Sequence, residues 1–237
     1  MIQFNGVSSG SLGCYVEHYP ARPIPKRKSE SFSVPGRSGD VIAAQDAWEN
    51  VEQSYDIYLS AEAAGLPIVS GRVVEWLMQP RGYARLEDDY NPDIFRMAIF
   101  LGSVDLKNTL NAFGRASIKF NCQPQRWLKS GETPWSSAGS EALVNPTGFP
   151  ALPLIVVHGS GSGTVTVGAA TVSISAITDG MVLDCAEGEA YAESGGTVSN
   201  LNTAISGDFP VLGAGETAVS FTGGVTAVEI TPRWYEI

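Results

Sequence analysis

Beyond residue 134 the chain has almost no positive charge: Arg233 alone stands against ten acids, whereas residues 1–134 hold 14 bases and 15 acids. A formal net charge of −10 without a basic stripe repels a phosphate backbone, so no sequence-specific nucleic-acid partner is expected. Histidine is scarcer still, with His18 and His158 the whole supply. Three cysteines, Cys14, Cys122 and Cys185, lie far apart and form no CxxC pair, so no metal site is expected. An odd number of scattered thiols reads as free and buried, which fits assembly in a reducing compartment. No apolar run is long enough to span a membrane, and the first residues lack the basic and apolar regions of a signal peptide.

Catalytic patterns are missing as well. There is no GxSxG elbow, and none of the cysteines has a distinctive setting. Glu87, Asp88 and Asp89 are adjacent, and neighbours in an extended segment point apart, so they make a solvated loop rather than an acid/base pair. The spacing Asp89-x-Asn91-x-Asp93 starts like a calcium loop, but Ile94 and Phe100 occupy the positions that need Gly and Glu. Gly159, Gly161 and Gly163 lack the Lys-Ser/Thr of a phosphate loop and read as a β-hairpin turn between LPLIVVH and TVTV. The expectation is a protein without enzymatic activity or cofactor.

What the chain does have is apolar, turn-rich sequence. At 237 residues, 43% hydrophobic and 17% charged, it can fill two cores, and 26 Gly with 14 Pro favour many turns between short strands. A mainly β fold is expected. In residues 53–59, Tyr55, Ile57 and Leu59 share one strand face; in 115–120, Ala116, Ile118 and Phe120 oppose Arg115, Ser117 and Lys119. One helix is predicted over residues 66–79, where Leu66, Val69, Val73, Trp76 and Leu77 form a stripe, Pro67 suits the first turn and Pro80 ends it. Residues 28–48 are predicted to form a β-hairpin arm, because Pro35-Gly36 and Gly39-Asp40 are turn pairs. The Gly-, Ser- and Pro-rich stretch 131–150 reads as a linker between domains 1–130 and 151–237, and the strand-and-turn spacing of the second suggests a β-sandwich.

Several segments, taken in order, resemble the distal tail protein (Dit) family of long-tailed, non-contractile phages. They are MIQFNGV at 1–7, SVPGRSGD at 33–40, LEDDY at 86–90 and IKFNCQP at 118–124, followed by NPTG at 145–148, MVLDC at 181–185, GDFPVL at 207–212 and TPRWY at 231–235. The resemblance implies a tail-tube-like split β-barrel or sandwich for residues 1–130 and a galectin-like or carbohydrate-module-like sandwich for 151–237. It implies a structural hub of the tail tip: six copies in a ring around a DNA channel, joining the major tail tube protein to a tail-associated fibre or lysin protein, with receptor-binding or baseplate proteins as further partners. It places the protein in the virion, assembled in the bacterial host cytoplasm. In the resembling family a hairpin of this kind belongs to the ring-forming domain, which makes Pro35, Gly36, Arg37, Gly39 and Asp40 ring-interface candidates.

A second reading, a host cell-wall saccharide-binding module, rests on aromatic residues of the second domain. Sugar rings stack on exposed aromatic faces, and Trp135, Tyr191 and Trp234 are the candidates. A groove lined by two such rings would favour it over the hub.

Overall fold

In this computed structural model the described residues are 1–61, 65–102, 107–110 and 113–237. The chain divides into two units, Met1–Arg126 together with Ile237, and Trp127–Glu236. Up to the division the strands are β1 (Ile2–Phe4), β2 (Val7–Ser8), β3 (Cys14–Val16), β4 (Arg27–Phe32), β5 (Val41–Trp48), β6 (Val51–Ser60), β7 (Ala84–Asp88), β8 (Ile94–Phe100), β9 (Lys107–Leu110) and β10 (Phe113–Cys122). The single α-helix among the described residues, α1 (Leu66–Met78), lies between β6 and β7 in the chain.

Alternation builds the first sheet. Along β6 the side chains of Tyr55, Ile57 and Leu59 turn inward, and along β10 those of Ile118, Phe120 and Cys122 do the same while Arg115, Ser117 and Lys119 face out. The two strands pair antiparallel in unbroken register from Phe113↔Ser60 to Cys122↔Val51, so their inward sets coincide. The sheet runs β2-β1-β7-β8-β10-β6-β3, with every pairing along this path antiparallel. The predicted stripe of α1 covers its inner face: Leu66, Val69, Val73, Trp76 and Leu77 are buried in one cluster with Phe4, Tyr55 and Phe120. The Trp76 indole N–H donates to the Phe4 carbonyl at 3.0 Å, which satisfies the one polar atom that the helix stripe buries.

The remaining strands are β11 (Arg126–Leu128), β12 (Trp135–Ser137), β13 (Glu141–Asn145), β14 (Leu154–Val167), β15 (Ala170–Ile177), β16 (Met181–Asp184), β17 (Glu189–Ser194), β18 (Thr197–Asn200), β19 (Ile205–Ser206), β20 (Gly215–Thr231) and β21 (Tyr235–Glu236). Two long strands organise the second unit. The first half of β14 pairs with β16 and with the end of β20; its second half pairs with β15 and with the start of β20. A bend between the halves lets the same two strands serve both layers around one core that includes Ile155, Val157, Val165, Met181, Leu183 and Ile230.

Two expectations are corrected here. The glycine run 159–163 is not a hairpin turn. It is a bulged stretch inside the continuous strand β14, with register shifts against β20 at Gly159 and Gly163. Segment 131–150 is not a free linker either: β12 pairs with β20 from Trp135↔Ile230 to Ser137↔Val228, and β13 pairs with β20 from Glu141↔Val219 to Asn145↔Gly215. Its composition is that of a turn-rich edge, but its backbone is spent in a ladder.

The second unit is also tied by an ion pair. Arg233, in the left-handed region at φ 59°, donates from Nη1 and Nη2 to the two carboxylate oxygens of Asp184 at 2.7 and 2.9 Å. Asp184 further accepts the backbone N–H groups of Ala186 and Glu187. The Arg233 hydrogen bonds, acting first and against partial burial, hold its carboxyl below the usual range. The folded pKa therefore lies below the unfolded value, so the stabilisation is full above that unfolded value and disappears as pH falls through the folded one. Asp184→Asn is expected to destabilise the second unit by about 2 kcal/mol at pH 7. Urea midpoints of wild type and variant should converge when the measurement is repeated in the acid range below about pH 4; a gap unchanged by pH would refute the assignment.

Candidate functional site

The arm formed by β4 and β5 is a two-stranded sheet of its own, with no other strand of the described residues bonded to it. Its register runs from Arg27↔Trp48 to Phe32↔Val41, broken by a bulge between Arg27 and Ser29. At the base, the Arg27 guanidinium lies over the Trp48 ring at 4.5 Å and reaches Asp46 at 3.3 Å. At the tip, the Arg37 N–H donates to the Val34 carbonyl at 3.1 Å, and Gly36 and Gly39 take φ of 80° and 82°, conformations that side-chain-bearing residues avoid. This closes the turn that the Pro35-Gly36 and Gly39-Asp40 pairs predict. The structure brings all five interface candidates to this one exposed tip.

Apolar side chains sit on both faces of the arm. Phe32 and Val41 are cross-strand partners on one face and Ile42 occupies the other, yet Phe32 is 52% and Ile42 68% exposed. An isolated two-stranded hairpin is marginal in water, and Phe32 and Ile42 are left largely uncovered by the described residues.

The aromatic candidates of the second unit have diverse environments. Trp234 is 4% exposed and belongs to the core, so its ring cannot receive a sugar; it is removed from the saccharide set. Trp135 is half-buried against the same core. Tyr191 is half-buried on β17, and β20, β14 and β16 separate it from the Trp135 strand in sheet order.

Other motif residues serve structure. Asp89 pairs with the N-terminal ammonium at 2.9 Å, while Asn91 donates to Asp88 and accepts from Arg126, so two of the three calcium-like positions are engaged in other contacts. His158, one of the two histidines, lies between Asp179 (Nδ1 to Oδ1, 3.2 Å) and Glu229 (Nε2 to Oε1, 3.6 Å). Asp179 also accepts the Gly159 N–H at 3.1 Å. That backbone bond, then the His158 ring, holds its carboxyl below the usual range, so the pair braces the start of the bulge. Cys14, Cys122 and Cys185 are free and buried, and burial pushes each thiol up to about 12, which removes them as nucleophiles near neutral pH.

No family model matches the sequence, and no curated protein matches it significantly. The fold does find a match among solved structures. The crystal structure of the SPP1 Dit protein aligns with a TM-score of 0.75 over 100% of this chain and 98% of that one, at 13% identity. The fold is that of a phage Dit protein. That protein is described as a paradigm of the hub adsorption apparatus in phages infecting Gram-positive bacteria. Coverage is nearly complete in both directions, so the likeness extends over both units, although few side chains are held in common.

Proposed function

We propose that the chain is a structural hub of a phage tail tip, with no enzymatic role. Six copies of the first unit close into a ring around a DNA channel. One side of the ring meets the tail tube protein and the other a fibre, lysin or baseplate protein. The observation that carries the reading is the arm: a hairpin with apolar side chains on both faces gains stability only by lying against another chain. A head-to-tail contact of this kind is heterologous, and such contacts close into a ring when the rotation permits. The SPP1 protein of the same fold, described as a hub, supports the same role here. The saccharide-binding alternative loses one of its three rings to the core, and the other two, Trp135 and Tyr191, stand on strands that are not neighbours.

Light scattering on the purified protein tests the ring. Six copies of 25.1 kDa should give about 150 kDa. The doubly substituted F32D/I42D chain, altered at two exposed positions, should fall to the mass of one copy with its melting temperature little changed. A wild-type mass of 25.1 kDa at every concentration would overturn the six-fold ring.

A further inference from the structure

A cavity of about 240 Å³ lies within the first unit, between the segment around Arg22 and strands β6, β7 and β8. Its lining includes three arginines, Arg22, Arg96 and Arg126, against a single acid, Asp88. That balance is unusual in a region whose arginines are otherwise mostly surface residues, and the position of Arg96 explains why it matters.

Arg96 falls on the inward register of β8 with Ala98 and Phe100. It is 7% exposed, and its buried Nη1 has no hydrogen-bond partner among the described residues. A buried guanidinium nitrogen left unpaired is costly, and native structures answer such groups with an anion or ordered water. Among the described residues that line the cavity or face Arg96, none offers it a free anion. Burial raises the Tyr55 hydroxyl pKa above its usual value and pushes the Cys122 thiol up to about 12, so both stay neutral at physiological pH. Arg126 and Arg22 are like charges; after burial itself, they lower the tendency of Arg96 to hold its proton. Asp88 is already engaged, accepting from the Tyr55 hydroxyl at 2.9 Å, the N–H groups of Tyr90 and Asn91 at 3.0 and 2.8 Å, and the Asn91 amide at 3.1 Å.

We infer that this cavity is an oxyanion site, in which a carboxylate or phosphate group binds against Arg96 with Arg22 and Arg126 adding positive field. The planar guanidinium offers parallel N–H donors that fit two oxygens of either group. At about 30 Å³ per water, the volume holds a tetrahedral or planar oxyanion together with several waters. The anion has two sources, a free small molecule or an acidic side chain of another protein copy, and both present the same oxygens to Arg96.

The test is a thermal titration of the full chain with sodium phosphate, and separately with malonate, at ionic strength held constant with sodium chloride. The expected result is a saturable rise in melting temperature, about 5 °C at a hundredfold excess over the dissociation constant. If a neighbouring copy supplies the group, phosphate will also lower the assembled mass by competition; if the source is a free anion, the mass stays constant while the melting temperature rises. Arg96→Met removes the buried charge and should abolish the anion response while leaving the anion-free melting temperature equal or higher. Arg96→Lys keeps charge but loses the fork, and should retain a weaker response. No saturable gain over sodium chloride in the wild type would overturn the site without reference to any variant. An equal gain in Arg96→Met would overturn it too. Neither readout depends on the ring, so a monomeric protein with a saturable anion response would retain this site and lose the hub.

Discussion

Phe120→Ala is expected to lower the stability of the first unit by about 4 kcal/mol, and its melting temperature by more than about 10 °C. The Phe120 ring is fully buried, with its centroid 4.9 Å from Phe4, 6.1 Å from Tyr55 and 6.2 Å from Phe100. Phe4 in turn meets Trp76 of α1 at 6.1 Å. One ring thus links the first strand, the two central strands and, through Phe4, the helix. Truncation removes aromatic edge contacts worth about 1 kcal/mol each beyond area burial and leaves a void that a backbone paired over ten residues cannot collapse around. Phe113→Ala is the internal control. It stands on the same strand but is exposed, and should shift stability by no more than about 0.5 kcal/mol. Urea unfolding followed by tryptophan fluorescence, to which the buried Trp76 contributes, reads both. A Phe120 loss below about 1 kcal/mol would mean that the aromatic cluster is not what closes this core.

The contrast between these two phenylalanines was legible in the sequence because β10 has one wet face and one dry one. Alternation and helical periodicity are local signals, so β6, β10 and α1 can be read without knowing their neighbours. The arm was legible for another reason: Pro35-Gly36 and Gly39-Asp40 impose turn geometry from within. Arg96 shows where this reasoning stops. Its parity with Ala98 and Phe100 was visible, and that parity alone would have sent it inward. A charged residue is placed on the surface by default, however, and that default conceals a buried guanidinium whose Nη1 has no partner among the described residues. Segment 131–150 is illegible in the sequence because its Gly, Ser and Pro content describes the flexibility of a free chain. The partner that orders it, β20, lies some 80 residues downstream, and a single sequence does not reveal long-range pairing.

The bulge in β14 carries the same lesson and the second large prediction. A glycine run between two apolar segments reads as a turn, yet here Gly163 pairs with Gly223 and Gly159 with Val225, next to Gly224, across the ladder. The two strands approach so closely that a Cβ on Gly224 would lie 1.7 Å from the Ser160 carbonyl oxygen, and one on Gly159 would lie 2.1 Å from the Gly224 oxygen. Both obstacles are backbone, so no rotamer change relieves them. Gly224→Ala must therefore push β14 and β20 apart at the bend where they pass from one layer to the other. The inward valines that flank it, Val157, Val165, Val225 and Val228, lose packing with the displacement. We expect a loss of about 3 kcal/mol. Gly213→Ala has open space around its Cβ and no left-handed φ, and should be close to neutral. The probe is the near-ultraviolet circular dichroism of the buried Trp234 during urea unfolding, with the slope as well as the midpoint recorded. A Gly224 variant as stable as the Gly213 variant would mean that the strands do not cross at this distance and that the glycines form a turn after all. A lowered midpoint with an unchanged slope would instead assign the glycines their role: they bring two long strands close enough to bend together and enclose one core between two layers.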